Sequence, residues 1–162
     1  MGNASFTAST MTTSPVNNKK FYCPKRIFLV RHGESEGNVN ESAYCSIPDW
    51  KIPLTEKGYS QAKEAGRKIK KIVGDAPLYL YCSPYLRTKQ TLHAMNFGEC
   101  SNIIGAKEEP QLTEQQFGNY QRTADMESYK KERRNFGIFY YRFPQGESGL
   151  DVYNRVTALI DR

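Results

Sequence analysis

An arginine and a histidine that could act on a phosphate ester stand side by side near the start of the sequence. Arg31 and His32 follow the apolar run 27–30 and precede Gly33. A neutral imidazole is a competent nucleophile toward phosphorus, and a guanidinium can bind two phosphate oxygens at once. Because glycine lets the main chain pass close to a ligand, these residues in this order predict a phosphate site with His32 as its nucleophile.

A second arginine, Arg87, follows a second apolar run, residues 78–82. Ser83 as N-cap residue and Pro84 in the first turn predict a helix that begins directly after Ser83, and the N-terminus of a helix favours bound anions. Ligands of open α/β sheets bind beyond the carboxyl ends of the strands, so Arg31 and Arg87 would meet at one crevice. An Arg-His pair after one apolar run is more often structural. The combination of this pair with Arg87 after a second run, both facing one crevice, favours a phosphate site.

The apolar pattern also predicts the elements that must position these side chains. In chain order they are strands at 27–30, 78–82 and 103–104, and helices at 55–74, after 83, at 126–141 and from 148 onward. Continuous apolar runs are typical of strands buried on both faces, and apolar spacings of three and four are typical of helices. The alternation predicts an α/β fold, with a mostly parallel sheet flanked by helices on both faces. The last helix is still running at the end of the sequence, so we expect the sheet to be incomplete at its C-terminal side.

Length and composition limit the kind of protein this can be. The 162 residues suit one domain, which we expect over 23–162, after a disordered arm at 1–22 that is rich in Ser, Thr and Asn. Lys and Arg number 23 against 17 Asp and Glu, a net charge of +6. This excess suits an anionic partner, which could be a phosphate ester, an acidic surface or nucleic acid. The basic run 130–134 favours a solvated face over a nucleic-acid site, so we predict a small phosphate ester as partner and no nucleic acid.

Other classes of protein are disfavoured. No stretch approaches the roughly 20 apolar residues of a membrane span. The four cysteines form no CxxC pair and only two histidines could join them, so we predict no metal site. No secretory signal with an apolar core is visible, so we predict no disulfide framework. We also predict no cofactor. We expect reduced cysteines in a cytoplasmic protein, although a weak likeness of the arm to transit peptides leaves nuclear or organellar placement open. The oligomeric state stays open as well.

Four segments of the sequence resemble, in order, the signature motifs of the histidine phosphatase superfamily, the phosphoglycerate-mutase-like proteins. They are Leu29–Ser35 with Asn38, Ser83–Thr91, Leu112–Gly118, and Gly146–Ser148 followed by Asp151, Val152, Arg155 and Val156. The resemblance runs from about Arg26 to the end of the chain. Within the family it points to plant phosphoglycerate-mutase-like proteins, which share the run 139–144.

The resemblance implies hydrolysis of a phosphate monoester in two steps. His32 would attack phosphorus and become phosphohistidine, and Glu114 would protonate the leaving oxygen and then accept a proton from water. Arg31 and Arg87 would hold the phosphoryl oxygens in the transition state. The implied substrate-binding residues are Arg31, Ser35, Asn38, Arg87 and Glu114.

The sequence also departs from the family pattern. Members carry a second catalytic histidine in a His-Gly pair at a later strand end, whereas His93 lies on the helix predicted after Ser83 and is not assigned that role. We therefore expect a C-terminally truncated family member that is weak or inactive in this form. Two alternatives stay open: a non-catalytic phosphate-ester-binding or interaction protein, and a phosphoglycerate-mutase-type phosphotransferase. Gly37 and Phe117 replace the Trp and Tyr usual in mutases, which favours a phosphatase.

Overall fold

The computed structural model describes residues 24–99, 102–118 and 122–161, and the arm predicted at 1–22 lies outside these residues. The strands are β1 (Leu78–Cys82) and β2 (Ile103–Glu108). The α-helices are α1 (Glu36–Val39), α2 (Ala43–Ser46), α3 (Glu56–Val73), α4 (Leu86–Ala94), α5 (Thr123–Phe136) and α6 (Gly149–Ile160). Short 3₁₀ segments lie at Asp49–Lys51, Phe97–Glu99 and Pro110–Leu112.

The two strands pair in parallel, and α4 lies in the connection between them. Leu80 is opposite Ala106 and Cys82 is opposite Glu108 in the register. A parallel pair needs a crossover connection, and the helical crossover here makes a strand–helix–strand unit. The predicted α/β fold, with a parallel sheet and flanking helices, is confirmed.

The core lies where α3 and α4 pack against one face of this sheet. Its buried centre consists of Ala62, Ala94, Met95 and Phe97, and Leu78, Leu80 and Ile103 of the strands pack against it. On the other face Tyr79, Tyr81 and Ile104 are exposed, so the described residues cover one face of the sheet and not both as predicted. The core therefore fixes α4, and with it Arg87 near its start, against the sheet.

Helix ends follow the local signals of the sequence. Thr55 caps α3, its Oγ1 accepting a hydrogen bond from the main-chain nitrogen of Gly58 at 3.1 Å. Ser148 caps α6 in a reciprocal pair, in which its Oγ accepts from the nitrogen of Asp151 and its own nitrogen donates to Oδ2 of Asp151. The helices predicted to start near these residues are confirmed, and α3 ends before Gly74 as expected.

Other boundaries differ from the prediction. The helix predicted after Ser83 begins at Leu86, with Tyr85 as its N-cap residue. The helix predicted over 126–141 runs instead from 123 to 136, because the chain at Gly137 takes a φ of +118° that a right-handed helix cannot contain. Strand β2 extends to Glu108, beyond the two-residue run that predicted it.

The strand predicted over 27–30 is wrong. Among the described residues this segment pairs with no other strand, and Leu29 is 94% and Ile27 69% exposed. An apolar run becomes a buried strand only where other elements cover its faces and pair its edges. No described segment does so here, and the run is an extended segment leading to Arg31 and His32.

Helix length and composition also bear on membranes. Within the described ranges, we find no helix whose length and hydropathy would allow it to cross a bilayer.

Candidate functional site

His32 is carried by a main-chain segment fixed between α3 and α4. A Cβ on Gly33 would lie 2.3 Å from the carbonyl oxygen of Gly58 in α3, so the two chains approach as closely as glycine permits. The nitrogen of Gly33 donates to Oγ1 of Thr91 in α4 at 3.1 Å. These contacts set the position of His32 although its segment belongs to no strand.

The imidazole of His32 has a defined tautomer. Its Nδ1 lies 2.7 Å from the carbonyl oxygen of Gly33. A carbonyl oxygen can only accept, so Nδ1 carries the hydrogen and Nε2 keeps its lone pair in the neutral ring. Burial lowers the pKa of His32, and the nearby charges of Arg87 and Arg31 act in the same direction. The hydrogen bond to Gly33 and the charge of Glu114 oppose this in part, and the net effect favours a neutral ring.

Arg87 is a buried cation in the first turn of α4. Its side chain is 2% exposed, and its Nη1 donates to Oδ1 and to the main-chain oxygen of Asp49, each at 2.7 Å. The guanidinium also lies 4.8 Å from the ring centre of Tyr85. A buried charge needs such partners, and they hold Arg87 beside His32.

Glu114 lies on the loop that follows the 3₁₀ segment 110–112, and its main chain is held by Arg155 of α6. Arg155 donates to three carbonyl oxygens of this segment: Gln111 at 2.5 Å, Thr113 at 2.8 Å and Glu114 at 3.3 Å. The same guanidinium donates to Oε1 of Glu147 at 3.0 Å and to its Oε2 at 3.1 Å. One side chain therefore fixes the loop that carries Glu114.

Glu147 fastens the same loop from its other side. Its Oε2 accepts from the nitrogen of Gln116 at 3.0 Å, and its own nitrogen donates to the carbonyl of Gln116 at 2.8 Å. Burial alone would raise the pKa of Glu147, but the hydrogen bonds from Arg155 and Gln116 outweigh it and the pKa is lowered. Glu147 therefore stays ionised, which keeps its bonds to Arg155 strong.

Two cavities meet at these residues, and Arg31, His32 and Glu114 line both. The arginine cavity, of about 420 Å³, also contains Ser83, Arg87 and Thr88 at the start of α4 and apolar side chains such as Val152 and Val156 of α6. The α5 cavity, of about 480 Å³, is also lined by Asn38, Glu41, Tyr44, Asp49, Phe117, Met126 and Lys130. The arginine cavity concentrates the groups that suit a phosphoryl group.

The structure brings together most of the residues expected from the sequence. Arg31, His32, Arg87 and Glu114 line one cavity, and Asn38 lines its neighbour. Ser35 does not join them, because its side chain is completely buried and lines neither cavity. Instead its nitrogen and Oγ both donate to Oδ1 of Asn38, at 3.0 and 3.1 Å. Ser35 thus orients Asn38, and its contact with substrate stays a prediction.

His93 lies on the last turn of α4 with an exposed side chain and lines neither cavity. In the described parts of the chain, no group of three or more His, Cys, Asp or Glu side chains is arranged to hold a metal ion.

Sequence reasoning missed several residues of the site. Asp49 and Tyr44 carry no local signal, because each meets its partner only through the tertiary fold. Glu147 and Arg155 lie within the fourth motif, and their types and spacing on either side of the start of α6 could have indicated an ion pair. Lys130 belongs to the basic run 130–134, which does not indicate its pairing with Glu41.

The chain is similar in sequence to known proteins. Residues 27–162 match the histidine phosphatase superfamily (branch 1). The chain is 46% identical over 156 residues to the phosphoglycerate mutase-like protein AT74H of Arabidopsis thaliana, covering 90% of this chain and 55% of that protein. It is 26% identical over 225 residues to the broad-range acid phosphatase DET1 of Saccharomyces cerevisiae, covering 83% and 67%. The chain spans about half the length of the Arabidopsis relatives it matches.

Solved structures show the same fold. A mycobacterial glucosyl-3-phosphoglycerate phosphatase in complex with VO3 superposes with a TM-score of 0.62 and 25% identity, over 80% of this chain and 60% of that one. A second protein, mycobacterial hydrolase 1, has a TM-score of 0.61 at 24% identity, over 80% and 58%. At this level of identity, the similarity to mycobacterial hydrolase 1 supports only a shared fold.

Proposed function

The chain belongs to the histidine phosphatase superfamily, and on that premise we propose that it is a phosphohydrolase that cleaves phosphate monoesters through a phosphohistidine on His32. The observation that carries this proposal is the 2.7 Å contact between Nδ1 of His32 and the carbonyl oxygen of Gly33. With the hydrogen on Nδ1, bonded to the carbonyl of Gly33, the lone pair on Nε2 is available for attack, in a cavity that also contains Arg31, Arg87 and Glu114.

In the first step, Nε2 of His32 attacks phosphorus and the bond from phosphorus to the ester oxygen breaks. Glu114, in its protonated form, gives its proton to the departing alkoxide. Arg31 and Arg87 bind the phosphoryl oxygens, whose charge is redistributed in the transition state.

In the second step, water attacks the phosphohistidine. Glu114, now a carboxylate, accepts a proton from the water, and the bond from phosphorus to Nε2 breaks to give phosphate and a neutral imidazole. Each group returns to its starting protonation state. The names of two relatives, an acid phosphatase and a glucosyl-3-phosphoglycerate phosphatase, support hydrolysis as the outcome.

A second candidate function is non-catalytic binding of phosphate esters. It is favoured by the position of His93, which is exposed and away from both cavities, so it supplies no second imidazole to the phosphate. Loss of one preorganised donor of this kind costs roughly a hundred- to a thousandfold in rate. The arginines and the start of α4 could still bind phosphate without turnover.

Trapping of the intermediate separates the two functions. The chain is incubated with 4-nitrophenyl phosphate, denatured in alkali, and mapped by tandem mass spectrometry for phosphohistidine. We expect the modification on His32, its loss in His32→Ala and its retention in the matched control His93→Ala. Saturable phosphate binding with no phosphohistidine in the parent would instead support the non-catalytic function and refute the enzymatic one.

A further inference from the structure

The α5 cavity has no role in the chemistry described above, although it opens from the same three residues as the phosphate site. Its volume of about 480 Å³ falls within the roughly 300–1,000 Å³ typical of small-molecule sites. The arginine cavity holds Arg87 and the start of α4, where the phosphoryl group would bind. The organic part of an ester must extend from there past Glu114, which lines both spaces.

One wall of the α5 cavity is aromatic because Gly37 has no side chain. A Cβ on Gly37 would lie 2.6 Å from the ring of Tyr44, so the ring occupies the space that any larger residue at this position would need. Tyr44 lines the α5 cavity together with Arg31, His32 and Glu114. Its ring therefore lies at the border of the phosphate site.

Two further side chains give the cavity an apolar surface. Met126 of α5 is only 3% exposed and yet lines the cavity. Phe117 lines it as well and packs edge-on against Phe143, with ring centres 4.9 Å apart. A thioether and two rings suit an aryl or alkyl group, whose transfer from water is favoured by about 25 cal/mol per Å² buried.

The charges in the cavity disfavour a second anionic group. Lys130 is bound by Glu41, with both carboxylate oxygens 2.8 Å from Nζ. Asp49, which also lines the cavity, is the partner of Arg87. Arg31 and Glu114 also line the cavity, and both are taken up by the phosphoryl group and the ester oxygen. The remaining charged side chains are two carboxylates, Glu41 and Asp49, and one ammonium, Lys130, so a carboxylate or second phosphate placed here would meet more negative than positive charge.

We propose that the α5 cavity binds the organic part of the phosphate ester, and that it selects an uncharged, largely apolar group over one that carries a second anion. Tyr44, Phe117 and Met126 make the apolar contacts, and the carboxylates of Glu41 and Asp49 disfavour the anion. The inference rests on the proposed function in that the phosphoryl group is taken to bind at Arg31, His32 and Arg87.

Methionine NMR tests this placement without depending on turnover. The chain is labelled with ¹³C at the methionine methyl groups and titrated with phenylphosphonate, which cannot be hydrolysed, and with 4-carboxyphenylphosphonate and inorganic phosphate. Met126, assigned through Met126→Leu, reports on the α5 cavity. Met95, which is 4% exposed in the core, is the internal reference.

We expect phenylphosphonate to shift the Met126 signal strongly and the Met95 signal little, and to bind more tightly than inorganic phosphate. 4-Carboxyphenylphosphonate should bind about fivefold more weakly than phenylphosphonate, as expected for one like-charge contact at a partly exposed site. If phosphonates bind and Met126 does not shift, or if the carboxylated ligand binds equally well or better, this inference is wrong. If neither phosphate nor phosphonate binds, the proposed function is wrong instead.

Charge-matched variants test the role of the ion pair. Glu41→Gln removes the carboxylate and leaves Lys130 to bind the ligand's carboxylate, so the preference for phenylphosphonate should disappear or reverse. Glu127→Gln removes the same charge from an exposed position on α5 and should leave the preference unchanged. An equal effect of both variants would show that only the net charge of the protein matters.

Discussion

Asp49 accepts two hydrogen bonds from the single Nη1 atom of Arg87, one at its main-chain oxygen and one at Oδ1, both at 2.7 Å. The partners are 38 residues apart in the sequence, and the guanidinium is 2% exposed. A cation at that depth is stabilised by its carboxylate when the site is empty. A bound phosphate would therefore compete with Asp49 for the charge of Arg87.

Replacing Asp49 by asparagine should make the protein less stable and more responsive to phosphate. Asp49→Asn keeps the shape and the main-chain acceptor but removes the charge, and we expect a loss of about 1–3 kcal/mol in the free energy of unfolding. Because phosphate then supplies the missing counter-charge, it should raise the midpoint of thermal unfolding more in the variant than in the parent. An equal or smaller rise would refute this account, and Asp75→Asn, at an exposed site, is the control.

The hydrogen bonds of Arg155 predict that a change at this residue alters the rate of hydrolysis through the loop of Glu114. Arg155→Lys retains the charge but cannot hold Glu147 and three carbonyl oxygens together, so the loop of Glu114 should loosen. We expect hydrolysis of alkyl phosphates to fall at least about tenfold more than hydrolysis of 4-nitrophenyl phosphate, because only the poor leaving group needs a positioned acid. A uniform loss for both substrates would indicate a merely structural role. Arg67→Lys, on the exposed surface of α3, should change neither rate.

Replacing Glu114 itself should also slow alkyl phosphates more than 4-nitrophenyl phosphate, and by a larger factor than replacing Arg155. Glu114→Gln removes the proton donor, so the rate for alkyl phosphates should fall by roughly a hundredfold or more, while 4-nitrophenyl phosphate is affected much less. Steady-state kinetics on both esters measures the ratio. Equal slowing would mean that Glu114 only positions the substrate.

The lowered pKa of His32 predicts how activity and stability depend on pH. Burial disfavours the imidazolium, so the ring should remain neutral and nucleophilic below the ordinary value near 6.5. As pH falls, the unfolded chain takes up the proton first, because its histidine has the ordinary pKa. The stability that the protein gains from a neutral His32 is therefore fully present above the ordinary pKa, and it is lost as pH falls toward the lowered pKa of the folded state. A proton NMR titration of His32 with a midpoint at or above 6.5 would contradict both expectations.

Local signals in the sequence predicted the helices of this fold well. Thr55 and Ser148 cap helices through atoms three residues away, so their information lies within one turn. For these helix starts a short stretch of sequence contains the physical cause. The convergence of Arg31, His32 and Arg87 was predicted too, but from a strand at 27–30 that the structure does not contain, and contacts of Gly33 with α3 and α4 position His32 instead.

The features that sequence reasoning missed depend on contacts between distant segments. The run 27–30 has the composition of a buried strand, but burial is decided by neighbours that the run itself does not specify. Asp49 acquires its role only when Arg87 is folded against it. Likewise, no local pattern in the sequence indicates that Tyr44 packs against Gly37 or that Lys130 pairs with Glu41.

The most direct test of the account is the identity of the nitrogen that carries phosphorus. With Nδ1 bonded to Gly33, the account predicts that phosphorus is transferred to Nε2 of His32. The phosphoenzyme formed from 4-nitrophenyl phosphate on chain labelled with ¹⁵N-histidine can be examined by ³¹P–¹⁵N correlation NMR, with His93→Ala as background. Correlation of phosphorus with Nε2 of His32 is the predicted result, and phosphorus on Nδ1 of His32 or on any other residue would contradict the mechanism.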